Sequence, residues 1–163
     1  MLAGHNWSVA QRTGSVVVSV DCRLAPEVPF PGPLHDCHAA LLWLVKYAAD
    51  LNVDPQRIAV MGESGGGGLA AALALLVRDR GSATLAAQIL VYPMLDYRTG
   101  TEEAPLKNPT TGEFGWTAQA NRFGWSAMRG AQIGKASSQR GFACLRCDER
   151  RQPRLSRCCP LAR

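Results

Sequence analysis

IAVMGESGGGGLA, residues 58–70, is the stretch that decides the fold of this chain. A short apolar run closing at Met61 reads as a buried strand, and the Ala/Leu-rich stretch after the glycines reads as a helix. Between them, Gly62-Glu63-Ser64-Gly65-Gly66 fits Gly-x-Ser-x-Gly, the pattern of a nucleophile elbow. The chemistry makes specific demands there. The serine is pinned on a sharp strand-to-helix turn, and the flanking glycines Gly62 and Gly66 keep Cβ atoms out of its way. The N–H of the next residue, Gly65, then faces a developing oxyanion, and the helix N-terminus favours negative charge. Two other glycine-rich turns are excluded. A phosphate-binding Walker loop needs Lys-[Ser/Thr] after its last glycine, where this chain has Leu69-Ala70. The dinucleotide pattern Gly-x-Gly-x-x-Gly needs glycine at position 64.

Outward from the elbow, strands and helices alternate. The β-branched run at 15–20 predicts a first strand, 57–61 a second, and 88–92, closed by Pro93, a third. The spacing of Leu34, Leu41, Leu44, Val45, Ala48 and Leu51 predicts a helix from His35 to about Leu51, stopped by Asn52-Val53-Asp54-Pro55. A second helix is expected from Gly67 to about Asp79, ended by Gly81, and a third from Thr117, its N-cap, to about Met128. This order predicts an α/β fold: a parallel sheet with flanking helices covering both its faces.

The charge is unevenly spread. The chain of 163 residues carries a formal net charge of +5, but residues 131–163 hold 8 Lys and Arg against 2 Asp and Glu. The body is close to neutral, so the basicity is a property of the tail. A basic tail can bind phosphate backbones nonspecifically, and no specific nucleic-acid partner is expected. The tail also holds Cys144, Cys147, Cys158 and Cys159. Cys144 and Cys147 have zinc-knuckle spacing, but adjacent Cys158 and Cys159 do not complete a tetrahedral site, so no metal is expected. Residues 131–163 show neither helical nor strand period. They are read as an irregular, basic, Cys/Arg-rich tail, disordered or translated out of frame. No apolar run reaches the roughly 20 residues of a membrane span. The start has no basic-then-apolar leader, so the expected compartment is the cytoplasm.

Several further stretches complete a pattern. Val18-Ser19-Val20-Asp21-Cys22-Arg23-Leu24-Ala25-Pro26-Glu27 resembles the V-x-V-D-Y-R-L-A-P-E segment of the hormone-sensitive-lipase-like α/β-hydrolases, the family IV bacterial esterases and lipases. Asp54-Pro55-Gln56-Arg57-Ile58-Ala59-Val60 leads into the elbow as in that family, and Tyr92-Pro93-Met94-Leu95-Asp96 and Asn121-Arg122-Phe123-Gly124-Trp125 extend the match. The resemblance covers about 14–130. It implies a partial α/β-hydrolase domain over 1–130, with a cap-like segment at about 97–130. It implies a carboxylic-ester hydrolase with Ser64 as nucleophile, Gly65 N–H in the oxyanion hole, a small-molecule ester as substrate and no cofactor.

The departures matter as much. Cys22 stands where the family has tyrosine. The family's His-Gly-Gly-Gly loop has no counterpart in Leu2-Ala3-Gly4-His5, and its acid and histidine segments are not recognisable downstream. A Ser…Asp/Glu…His order cannot be completed, because His5, His35 and His38 all precede Ser64. The chain is therefore expected to resemble a family member truncated at both ends and to be inactive alone. The alternative is a non-catalytic small-ligand-binding relic of the same fold. Arg23 and Glu27 are read as structural charges and His35 and His38 as solvated or partly packed. Asp96 is a conceivable triad acid that, without a histidine, bridges locally. Phe114, Trp116, Phe123 and Trp125 are either walls of an acyl pocket or ordinary helix packing, and the sequence leaves both open.

Overall fold

The computed structural model describes residues 2–104, 108, 110 and 112–130. The tail at 131–163, with its four cysteines and its expected disorder, lies outside the described residues. Six main elements follow in order: α1 (Leu2–Thr13), α2 (Gly32–Lys46), β1 (Ala59–Glu63), α3 (Gly65–Arg80), β2 (Ala87–Val91) and α4 (Ala118–Arg129). None of these helices is long and apolar enough to cross a membrane.

β1 and β2 pair in parallel, from Ala59 opposite Ala87 to Glu63 opposite Val91, with α3 as their crossover. α3 packs against both strands and α2 packs against α3. Leu34 and Leu41 of α2, Ile58, and Ala72, Leu73 and Val77 of α3 form the core between them. Alanine and leucine make α3 a strong helix, and alanines at 70–72 let it approach the strands closely. Gly81 ends it in the left-handed conformation at φ 61°, its N–H bonded to the Val77 carbonyl.

Several boundaries differ from the sequence expectation, for local reasons. Asp54 caps a 3₁₀ turn, Pro55–Arg57, by accepting from Gln56 N at 2.8 Å, which takes Arg57 out of the strand. β1 therefore runs later, right up to Ser64. β2 ends at Val91 because Tyr92 has φ 36° and leaves the ladder. α2 stops at Lys46, and tight turns carry the chain through Asn52, at φ 54°, to the proline. Thr117 is the N-cap of α4, as expected, accepting from Ala120 N at 3.2 Å. α1 has no counterpart in the sequence reading.

Two expectations are corrected. Residues 15–20 join no ladder, and Val16 is 55% exposed. A strand is made by its neighbours as much as by its own residues, and the described sheet gives this run no partner edge. The face of the sheet turned away from α3 is also partly exposed rather than fully covered. Met61 and Ile89 are paired in register and point the same way, and they are 42% and 48% exposed.

Candidate active site

Ser64 is the residue between β1 and α3. Its backbone sits at φ 51°, ψ −119°, a region an L-residue occupies only under strain. Three backbone hydrogen bonds hold it there. Ser64 N donates to the Val91 carbonyl at 3.0 Å, and the Ser64 carbonyl accepts from Gly68 N at 3.1 Å and Met94 N at 3.0 Å. The elbow is thus clamped to the segment leaving β2 as well as to its own helix. Gly65 opens α3, so its N–H is one of the helix's first donors, with no carbonyl one turn behind it.

The glycines differ in their reasons. A Cβ on Gly62 would lie 2.2 Å from the Gly66 carbonyl oxygen and 2.7 Å from Gly67 N, so strand and first helical turn meet there with no space for a side chain. Gly66, expected to clear room for the serine, has nothing within 4 Å of its Cβ position, because the helix carries it to the exposed side. The close approach on the far side is made instead at Gly67 and Gly68: a Cβ on Gly67 would lie 2.8 Å from Pro93 Cβ, and one on Gly68 2.4 Å from the Met94 carbonyl oxygen. The sequence reading gave these two no role, though the run of four glycines exceeded what the pentapeptide pattern needs.

Glu63 lies beside the serine. The Tyr92 hydroxyl donates to Glu63 Oε2 at 2.9 Å, and His5 Nε2 of α1 lies 3.8 Å from Glu63 Oε1. The hydrogen bond to the carboxylate, aided by its charge, holds the tyrosine hydroxyl's pKa above its usual value. Neither of the other histidines bonds to the serine. His35 is exposed. His38 is buried with Nε2 3.0 Å from Ser82 Oγ, and burial, ahead of the Arg80 and His35 charges, lowers its pKa. His38 is therefore more deeply packed than its sequence suggested.

A cavity of about 410 Å³ opens on Ser64. Pro93, Met94 and Leu95 form one wall, and Trp116, Asn121 and Trp125 another. Buried Asn121 organises the second wall: its Nδ2 donates to the Thr99 carbonyl at 2.7 Å and its Oδ1 accepts from Trp116 Nε1 at 3.1 Å. The structure thus divides the four aromatics. Trp116 and Trp125 line the cavity, whereas Phe114 and Phe123 are 89% and 75% exposed. Asp96 also lines it, held by Arg98 through two Nε contacts of 2.9 and 3.1 Å and an Nη2 contact. That is the local bridge expected of it. Arg23 pairs with Asp36 rather than Glu27: Nε at 2.9 Å, Nη2 at 2.7 Å, and its backbone N at 3.0 Å from the same carboxylate. These hydrogen bonds hold the Asp36 carboxyl down to about 2.

Comparison with known proteins bears on the fold and the family. A family model described as alpha/beta hydrolase fold matches residues 5–161, further than the motif-level resemblance at 14–130. The chain is 52% identical over 79 residues to carboxylesterase NlhH of Mycobacterium tuberculosis, covering 48% of this chain and 25% of that protein. It is 36% identical over 130 residues to ethyl acetate hydrolase of Pseudomonas putida, covering 78% of this chain and 39% of that one. The crystal structure of carboxyl esterase 2 from the mycorrhizal fungus Tuber melanosporum superposes with a TM-score of 0.67 at 33% identity, over 77% of this chain and 40% of that chain. The aligned part is thus well under half of each of these relatives.

Proposed function

From the premise that this chain belongs to the α/β-hydrolase family, we propose that it is the nucleophile-bearing portion of a serine carboxylic-ester hydrolase of the esterase/lipase type. The backbone of Ser64 carries the reading: φ 51° at the junction of a strand and a helix N-terminus, facing a cavity with apolar walls. Ser64 Oγ attacks the carbonyl carbon of a small-molecule ester, and a histidine accepts its proton. The oxyanion takes a hydrogen bond from Gly65 N–H. The alcohol leaves with a proton, and water hydrolyses the acyl-enzyme. Gly62, Glu63 and Gly66 complete the elbow, and residues 97–130 act as a cap-like wall over the acyl group. The working compartment proposed is the cytoplasm, with no specific nucleic-acid partner.

His5, His35 and His38 all precede Ser64, so these 163 residues do not complete the relay. We infer that the chain alone does not turn over esters. A second reading rests on the same fact: a pocket of this size without its base still holds a small apolar ligand. A fluorophosphonate probe with peptide mapping separates the two. The elbow reading expects an adduct on Ser64, lost in Ser64→Ala, without sustained turnover of a p-nitrophenyl ester. Protein that unfolds cooperatively yet yields no Ser64 adduct would favour the binder. Sustained turnover that Ser64→Ala abolishes would show that the relay is complete after all.

A further inference from the structure

Two non-glycine residues at the elbow have positive φ: Ser64 at 51° and Tyr92 at 36°. A bulky aromatic seldom adopts such a backbone, and Pro93 after it pushes Tyr92 toward extended backbone as well. Glycine would sit there at less cost. Burial does not account for the tyrosine, which is 70% exposed. Its place in the chain does point to a role. Val91, just before it, accepts from Ser64 N at 3.0 Å, and Met94, two residues after it, donates its N–H to the Ser64 carbonyl at 3.0 Å. Tyr92 is thus the bend between two clamps on the serine's own peptide groups.

The side chain adds a third tie. The Tyr92 hydroxyl donates to Glu63 Oε2 at 2.9 Å, and Glu63 is the residue before Ser64. Glu63 and Val91 are register partners, so this bond crosses the same end of the ladder as the Ser64–Val91 bond. The other carboxylate oxygen faces His5 Nε2 at 3.8 Å. Tyr92 also lines the cavity together with Ser64. We propose that Tyr92 is a positioning residue for the Ser64 nucleophile, acting through its hydrogen bond to Glu63, an inference that rests on the ester-hydrolase reading. The bond holds the bend at Tyr92 against the end of β1. That keeps the Val91 carbonyl and the Met94 N–H on the serine, and Pro93, Met94 and Leu95 in the cavity wall.

The electrostatics are consistent with that geometry. The hydrogen bond to the Glu63 carboxylate holds the phenol above its ordinary value, so the hydroxyl stays protonated and donating at neutral pH. A solvent-exposed hydrogen bond exchanges with water and adds little to global stability, so its effect is local to the elbow. Phenylalanine at this position keeps the ring and the backbone cost but has no donor, which separates the bond from strain and from cavity lining.

Amide hydrogen exchange of the full native chain, resolved by residue with NMR, tests this. Tyr92→Phe is expected to lower protection several-fold at the Ser64 and Met94 amides and to leave the amides of buried Leu73 and Val77 in α3 at the parent value. Glu63→Ala gives the same local loss, the double variant loses no more than either single one, and Glu63→Gln, which keeps an acceptor, loses less. The Tyr92 ring titrates at lower pH in Glu63→Ala than in the parent. Fluorophosphonate labelling of Ser64 slows several-fold in Tyr92→Phe. Protection lost equally at Leu73 and Val77 would make Tyr92 an ordinary stability contact and overturn the proposal. Unchanged protection at Ser64 and Met94, or additive losses in the double variant, would overturn it too. So would an adduct that forms at the parent rate in Tyr92→Phe. If the parent takes no adduct at all, it is the ester-hydrolase reading that fails, and the exchange pattern alone decides whether Tyr92 holds Ser64.

Discussion

Alanine at the two ends of the elbow pentapeptide has opposite effects. At Gly62 the new Cβ meets backbone, 2.2 Å from the Gly66 oxygen and 2.4 Å from its carbonyl carbon, where real Cβ contacts essentially never fall below 3.0 Å. Backbone cannot rotate aside, so the first turn of α3 must withdraw from β1 by about 0.8 Å or more. That withdrawal strains the bonds that meet at Ser64: Gly68 N and Met94 N to its carbonyl, and its own N–H to Val91. Overpacking costs about 1–3 kcal/mol and each of the three weakened hydrogen bonds about 1 kcal/mol, so Gly62→Ala loses about 4–6 kcal/mol. Gly66 lies in the helix with open space at its Cβ position. Gly66→Ala there gains about 0.5–1 kcal/mol from restricting the unfolded chain. Urea unfolding followed by far-UV ellipticity reads both. Gly62→Ala at the parent midpoint would refute the reasoning, as would Gly66→Ala losing as much as Gly62→Ala.

Three further outcomes are expected. Ser64→Gly relieves a strained conformation worth about 1–3 kcal/mol against a glycine entropy cost of about 0.5–1 kcal/mol, so it stabilises by roughly 1 kcal/mol where Ser64→Ala does not; equal urea midpoints for the two variants would remove the strain from the account. Asn121→Ala leaves the Thr99 carbonyl and the Trp116 indole without their partner and costs about 2–3 kcal/mol, and a Trp116 emission spectrum unchanged from the parent would contradict its place in the wall. His38 has its pKa lowered in the folded chain from 6.5, so the unfolded chain takes up protons first and stability falls as pH drops below about 6.5; His38→Gln flattens that fall, and an identical pH–stability curve for parent and variant would assign the dependence elsewhere.

The elbow was legible in sequence because its demands are local. A strand closing at an apolar residue, a Gly-x-Ser-x-Gly turn and an Ala/Leu helix follow one another within a dozen positions, and each depends on near neighbours. Asp96 as a local bridge and Thr117 as an N-cap were legible for the same reason, since their partners lie two and three residues away. The aromatic wall was only half legible. Phe114, Trp116, Phe123 and Trp125 look alike in composition, and the Asn121 bonds to Trp116 and Thr99 help decide which of them turns inward.

The strand expected at 15–20 shows the limit most clearly. Its β-branched residues favour extended backbone, but a ladder needs a partner edge, and that is a property of the assembled sheet. The role of each glycine is likewise tertiary. Gly62, Gly67 and Gly68 have no space for a side chain because helix, strand and the Pro93-Met94 segment converge on them, and Gly66 has space because the helix turns it outward. The partner of Arg23 was equally hidden, because Asp36 lies thirteen residues away along the chain. The sequence by itself determined the α/β class, the elbow and Ser64 at its centre, because those follow from local periodicity and turn chemistry. Only the tertiary structure decided which residues crowd that serine, which aromatics wall its cavity and which carboxylate Arg23 pairs with, because close approach between distant segments is created by packing.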